Sequence, residues 1–156
     1  MQLTTFTDFS LRVLMYLRMY PDRLVTIGEI AGAYRVPRNH LMKVVHRLAT
    51  LGYVETTRGN RGGIRLARNP DLITVGAVVR DVEEHLDTLD CFKLESNDVT
   101  CPLLPTCVLR AALMQARDNF LSTLDGITLN DLMPRRNKGS LVWPSNAARP
   151  IKSLTH

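Results

Sequence analysis

The sequence predicts a mainly α-helical protein, with a winged helix-turn-helix DNA-binding domain followed by a long C-terminal dimerisation helix. Two short helical segments on either side of a break at Pro37, and a glycine-rich hairpin directly after them, predict the winged domain. An apolar stripe along residues 109–124 predicts the long helix. We therefore expect four parts: the winged domain over 1–80, a cysteine segment over 81–108, the dimerisation helix over 109–133 and a disordered tail over 134–156.

The first two helices are predicted from apolar spacing and from a capping signal. Apolar residues recur at helical spacing over 8–20, and Pro21 ends that helix. Thr26 and Glu29 have the spacing of a capping box, in which each side chain bonds the backbone N–H of the other residue. A second, short helix that runs to about Tyr34 should follow.

The third helix is predicted to present a basic face. Pro37 suits its opening turn because the N–H that proline lacks would be unpaired there. Apolar residues recur on one face, and the opposite face carries Arg38, Asn39, His40 and Lys43. Gly52 is expected to end this helix. Arginine and lysine can pair with guanine and asparagine with adenine, so this face fits base edges and phosphates in a major groove. A face that simply stays solvated is the alternative interpretation.

The segment after the third helix predicts a hairpin that carries arginines. Two short strands flank a glycine-rich turn over 58–63. A basic hairpin directly after a recognition helix is typical of a DNA-binding wing, which can place Arg58 or Arg61 in a narrow minor groove. Arg65, on the second strand, is a further candidate DNA contact. An ordinary surface hairpin is the alternative.

Charge is distributed unevenly along the chain. Twenty Lys and Arg against fifteen Asp and Glu give a net charge of +5. Eight basic residues and one acidic residue lie in 35–68, whereas seven acidic residues and one basic residue lie in 81–98. The first stretch predicts a polyanionic partner, here double-stranded operator DNA. The sequence has neither an apolar run of about 18 residues nor a signal-peptide profile, so we expect a cytoplasmic protein with no membrane partner.

Two more helices are predicted after the hairpin. Thr74 can cap a helix that runs to about residue 85, with a buried stripe of Val75, Val78, Val79 and Val82. A long amphipathic helix should begin near Cys107 and run to Leu124. The apolar face of the long helix must be buried against something. A twofold partner is the economical solution, so we expect a homodimer, with packing against its own domain as the alternative.

All three cysteines, Cys91, Cys101 and Cys107, lie within seventeen residues. An odd number of clustered cysteines in a reducing compartment predicts a metal or redox site rather than a disulfide framework. Zinc sites usually contain Cys-x2-Cys pairs, whereas wider and irregular gaps favour an iron–sulfur cluster. Three thiolates leave a 4Fe–4S cluster one ligand short, and the side chains available to complete it include Asp8, Asp90 and His85, or a residue of a partner subunit. A zinc site, a redox relay and incidental cysteines are the alternatives.

These features together resemble the iron–sulfur winged-helix repressors, the regulator family that includes IscR and RirA. The resemblance covers about residues 1–133, and it rests on residues 1–8, 38–40, 58–66 and 121–125 together with the three cysteines. Within the family the chain is most similar to the nitric-oxide-sensing members. Cys91-Phe92 and Cys101-Pro102-Leu103 also resemble the iron-responsive members.

The resemblance implies a ligand set and a function. Cys91, Cys101 and Cys107 would bind the cluster, Asp8 of the other subunit would complete the set, and Arg12 would lie close to that site. A 4Fe–4S cluster is favoured over a 2Fe–2S cluster. The resemblance also implies that Asn39, His40, Lys43 and the wing contact DNA.

The expected function is a homodimeric transcriptional repressor whose operator binding is lost when nitric oxide damages the cluster. An iron-responsive or redox-responsive regulator of the same family is the alternative. A metal- or thiol-dependent enzyme or a cluster-handling protein is the alternative from a different class. We do not expect an enzyme, because the sequence contains no recognisable nucleophile–base pair.

Overall fold

The computed structural model describes residues 2–59, 61–84, 86 and 106–133. Within these ranges the elements, in chain order, are α1 (Thr5–Met19), α2 (Ile27–Tyr34), α3 (Arg38–Thr50), β1 (Val54–Thr57), β2 (Gly63–Leu66), α4 (Val75–Val82) and α5 (Val108–Asp125). The predicted mainly α-helical, winged helix-turn-helix fold is confirmed. Cys91, Cys101 and the tail predicted over 134–156 lie outside the described residues.

The core of the winged domain lies between α1 and α3. Each helix contributes side chains that are almost fully buried, namely Val13, Leu14 and Leu17 of α1 and Leu41, Val44 and Leu48 of α3. Ile30 of α2 and Ile64 of β2 join the same cluster. Because burial of this apolar surface fixes one face of α3 inward, the opposite face must point to solvent.

Side-chain caps fix the beginnings of the first two helices. Thr26 and Glu29 form the predicted capping box, with the Glu29 N–H donating to the Thr26 hydroxyl (3.2 Å) and the Thr26 N–H donating to the Glu29 carboxylate (2.6 Å). α1 begins at Thr5, three residues earlier than predicted, because the Thr4 side chain caps it. The hydroxyl of Thr4 accepts a hydrogen bond from the Thr7 N–H at 3.3 Å.

α3 ends in a Schellman motif that leads directly into the hairpin. Gly52 adopts a left-handed φ of +73°, as its predicted role at the helix end requires. Its N–H donates to the Ala49 carbonyl (3.0 Å), and the Tyr53 N–H donates to the Leu48 carbonyl (2.9 Å). At the other end, Pro37 is the N-cap and not the first helical residue.

The hairpin is a two-stranded antiparallel sheet with Glu55 opposite Arg65. The predicted strands are confirmed to within one residue at each end. Ile64 also exchanges two backbone hydrogen bonds with Val25, at 3.0 and 2.8 Å. This bridge fixes β2 to the segment that precedes α2.

α4 is shorter than predicted. Thr74 caps it by accepting a hydrogen bond from the Ala77 N–H (3.1 Å), and the predicted valine stripe of Val75, Val78, Val79 and Val82 is buried. The helix ends at Val82 and not at about residue 85, because Glu83 has an extended backbone. The carboxylate of Glu83 instead accepts hydrogen bonds from the start of α1.

The two ends of α5 differ in burial. Leu121, near its C-terminal end, packs against Val75 and Val79 of α4. The helix ends at Asp125, and the chain then turns back, so that the Leu129 N–H donates to the Ile73 carbonyl at 2.7 Å. The C-terminal end of α5 therefore packs against its own domain. None of the helices in the described ranges is both long and apolar enough to span a bilayer.

Candidate DNA interface and cluster ligands

α3 presents all four predicted DNA contacts to solvent. The side chains of Arg38, Asn39, His40 and Lys43 are exposed, as is Met42, while Leu41, Val44, Val45 and Leu48 are buried. The ring of His40 lies 6.4 Å from the ring of Phe9 in α1, measured between centroids. Because one face of α3 packs against the core, its other face presents cationic and amide groups to solvent, where they can contact a DNA groove.

The hairpin carries its three predicted arginines on the surface. Arg58 and Arg61 lie in the turn, and both are exposed. Arg65 lies on β2 and donates to the carboxylate of Glu55, directly opposite on β1, at 2.8 and 3.0 Å. This pair partly neutralises Arg65, so the cationic character of the wing is strongest at its tip.

Asp8 and Arg12 form an ion pair on the surface of α1. The Arg12 Nε lies 2.9 Å from both carboxylate oxygens of Asp8, and the guanidinium lies 5.5 Å from the ring centroid of Tyr34. Burial raises the pKa of Tyr34 to about 12, so this ring stays neutral in ordinary buffers. The Asp8 side chain is 45% exposed and is therefore accessible to a ligand. Arg12 does lie beside the candidate ligand Asp8.

A buried carboxylate joins the end of α4 to the start of α1. Glu83 is only 8% exposed and accepts hydrogen bonds from the backbone N–H (3.1 Å) and the hydroxyl (3.1 Å) of Thr4. It also accepts a hydrogen bond from the hydroxyl of Thr7. The residue that leads into the cysteine segment is thereby fixed to the helix that carries Asp8.

Cys107 is the N-cap of α5. Its Sγ accepts a hydrogen bond from the Arg110 N–H at 3.4 Å, and the side chain is partly exposed. A helix N-terminus stabilises negative charge, so this position suits a thiolate ligand. Cys91 and Cys101 lie outside the described residues, and within the described ranges no group of three or more His, Cys, Asp or Glu could hold a metal ion. The structure thus places two of the four candidate ligands, Cys107 and Asp8.

Comparison with known proteins identifies the family. The sequence profile of the Rrf2 family, described as an iron-dependent transcriptional regulator, matches residues 3–135. The chain belongs to the Rrf2 family. The HTH-type transcriptional regulator NsrR of Geobacillus kaustophilus is 47% identical over 137 residues, which cover 87% of this chain and 92% of the relative. The regulator of the same name from Halalkalibacterium halodurans is 43% identical over 139 residues, which cover 88% of this chain and 94% of the relative.

A solved structure shows the same fold. The structure of T. potens IscR superposes with a TM-score of 0.67 at 21% identity, covering 87% of this chain and 94% of that chain. The sequence identities with the two regulators make the chain an NsrR-type member of the Rrf2 family. Its function is therefore DNA-binding regulation of transcription and not catalysis.

Two contacts of this Rrf2 protein were missed by sequence reasoning. In the sequence, Glu83 is one of seven acidic residues in 81–98. No local pattern indicated that its side chain accepts a hydrogen bond from Thr4, 79 residues away. The pairing of Arg65 with Glu55 could have been found, because the strand register places them opposite each other.

Proposed function

We propose that this chain is a homodimeric transcriptional repressor whose operator binding depends on an iron–sulfur cluster that senses nitric oxide. The observation that carries the proposal is the exposed basic face of α3 beside an arginine-bearing wing, in a chain that is 47% identical to an NsrR regulator. The proposal has three parts, which concern DNA, the cluster and the dimer.

The DNA part assigns α3 to the major groove. Arg38, Asn39, His40 and Lys43 would contact base edges and phosphates there, and Arg58 and Arg61 would enter the adjacent minor groove. Arg65 would contribute to the phosphate contacts of the wing. Because each neutralised phosphate releases counterions, binding should weaken steeply as salt concentration rises.

The cluster part assigns four ligands. Cys91, Cys101 and Cys107 would supply thiolates, and Asp8 of the partner subunit would supply the fourth ligand of a 4Fe–4S cluster. The described residues fit this role, since the Cys107 sulfur lies at a helix N-terminus and the Asp8 carboxylate is accessible beside Arg12. When bound, the cluster would supply iron that nitric oxide can attack.

The dimer part rests on α5. Val108 and Leu109, in its first turn, are 81% and 61% exposed, although its C-terminal end is buried against α4. Exposed large apolar side chains on a long helix indicate a partner surface. A second copy of α5 would cover them, and the two α3 helices of the dimer would then contact the two halves of an operator.

A second candidate function is regulation by iron availability. The description of the family as iron-dependent favours it. In that case the same residues would bind the cluster, but the DNA affinity would follow iron supply and not nitric oxide. Treating the loaded protein with an iron chelator in the absence of nitric oxide distinguishes the two.

Iron and sulfide analysis together with DNA binding tests the proposal. The protein is purified without oxygen, and its operator is selected from a random-sequence DNA pool. We expect the wild type to contain iron and sulfide in equal amounts and to bind the selected duplex. Cys101→Ala and Cys107→Ala should keep their helical circular dichroism but lose iron, sulfide and operator affinity. Retention of full iron and sulfide by either variant would contradict the ligand assignment.

A further inference from the structure

Asp81, in the last turn of α4, is bonded to α3 and to the residue that joins α3 to the wing. Its carboxylate accepts a hydrogen bond from the Tyr53 hydroxyl at 2.6 Å. Its backbone carbonyl accepts a hydrogen bond from the Arg47 guanidinium of α3 at 3.1 Å. One residue of α4 is therefore bonded to α3 and to the residue that precedes β1.

Tyr53 is the junction between the recognition helix and the wing. It follows Gly52 in the Schellman motif that ends α3, and β1 begins at the next residue. Its ring is 1% exposed, and the Arg68 guanidinium lies 4.6 Å from the ring centroid. Burial and the bond to Asp81 raise the pKa of Tyr53, so the hydroxyl remains a donor in ordinary buffers.

We propose that Asp81 is a positioning residue for DNA binding, which fixes the angle between α3 and the wing by holding Tyr53. This inference rests on the proposed binding of DNA by α3 and the wing. A rigid junction fixes the orientation of α3 relative to the wing before DNA binds. Binding then does not incur the entropy cost of ordering these two elements relative to each other. Asp81 also lies ten residues before Cys91, on the helix that leads into the cysteine segment.

The test removes the Tyr53–Asp81 hydrogen bond from either side. Tyr53→Phe deletes the hydroxyl, and Asp81→Ala deletes the acceptor carboxylate while keeping the backbone carbonyl that Arg47 uses. Affinity is measured for the selected operator duplex and for a random-sequence duplex of the same length, well below the melting temperature of each variant. We expect each variant to bind the operator about fivefold more weakly, with the random-sequence affinity unchanged.

A double mutant and a control isolate the positioning effect. Because both substitutions break the same bond, the double variant should bind the operator no more weakly than either single variant. Asn130→Ala removes an acceptor of Arg18 and should lower the melting temperature without changing operator affinity.

The outcomes separate this inference from the proposed function. If both single variants bind the operator as the wild type does, the positioning role is wrong while the proposed function stands. Equal losses for the operator and the random duplex would also overturn the positioning role. Failure of the wild type to prefer any selected operator would overturn the proposed function and this inference with it.

Discussion

Glu83, the C-cap residue of α4, accepts hydrogen bonds from both the backbone N–H and the hydroxyl of Thr4, the residue that caps α1. The Thr4 hydroxyl in turn accepts a hydrogen bond from the Thr7 N–H. The side chains of Glu83 and Thr4 therefore provide acceptors for backbone N–H groups at the start of α1. Negative charge is favourable at this end of a helix. The contact makes the start of α1 and the end of α4 one structural unit.

Removal of the Glu83 carboxylate should destabilise the fold. Glu83→Ala leaves the fully buried Thr7 hydroxyl without this acceptor, and we expect the free energy of unfolding to fall by about 2–3 kcal/mol. Urea denaturation followed by circular dichroism measures the loss. Glu84→Ala, at the exposed neighbouring position, is the matched control and should change stability by less than about 0.5 kcal/mol. Equal effects of the two substitutions would show that the buried contact is unimportant.

Gly76 determines how closely α5 approaches α4. A Cβ atom at this position would lie 2.1 Å from a carboxylate oxygen of Asp125 and 2.9 Å from its backbone nitrogen. Gly76→Ala should therefore lower the free energy of unfolding by about 1–3 kcal/mol. Gly32→Ala is the matched control. Gly32 is an exposed glycine in α2, and a Cβ atom at this position would have no neighbour within 4 Å. This substitution should stabilise the protein by about 0.5–1 kcal/mol, and thermal unfolding of both variants would reveal the opposite signs.

The ion pair between Arg65 and Glu55 should lower the affinity of the protein for DNA. Glu55→Gln removes a negative charge from the wing and releases Arg65 to contact phosphate. We expect tighter binding, and a slope of log affinity against log salt that is steeper by about one. Titration of a labelled operator at several salt concentrations measures both quantities. An unchanged slope would indicate that Arg65 does not reach the DNA.

Arg61, at the exposed tip of the wing, should contribute to DNA binding in two ways, through its charge and through the preference of arginine for narrow minor grooves. Arg61→Ala should weaken operator binding and lower the preference for A·T-rich flanking sequence, because arginine favours narrow minor grooves. Arg61→Lys keeps the charge and should retain the salt dependence. Competition between A·T-rich and G·C-rich flanks distinguishes the two effects, and full retention of the flank preference by Arg61→Ala would contradict the minor-groove assignment.

The capping box of α2 should make stability depend on pH. The hydrogen bond from the Thr26 backbone N–H lowers the pKa of Glu29 in the folded protein. Glu29 therefore contributes stability above its ordinary pKa, and this contribution is lost as the pH falls through the lowered value. The stability difference between wild type and Glu29→Gln should be larger at neutral pH than at about pH 3. A difference that does not vary with pH would refute the linkage.

Local signals were sufficient to predict most of the elements. The Thr26–Glu29 box, the glycine at position 52 and the valines of α4, which recur at helical spacing, are local patterns, so the sequence displays them directly. The exposed face of α3 followed from the spacing of its buried residues. The predicted DNA contacts on α3 and the wing are exposed as expected.

Long-range contacts could not be predicted in the same way. The early end of α4 accompanies the contact of Glu83 with Thr4, which only the packed structure brings together. The different burial of the two ends of α5 depends on where α4 lies, and no periodicity within α5 encodes that. The spacing of the three cysteines predicted a cluster site. The sequence could not show that the Cys107 sulfur accepts a hydrogen bond from the Arg110 N–H or that Asp8 pairs with Arg12.

The most direct test of the central claim is operator binding by anaerobically purified, cluster-loaded protein during titration with nitric oxide, with iron and sulfide measured in the same sample. The account predicts that the bound fraction falls in step with a few molecules of nitric oxide per cluster. Binding that persists after the cluster has reacted, or that falls only when iron is chelated, would contradict it.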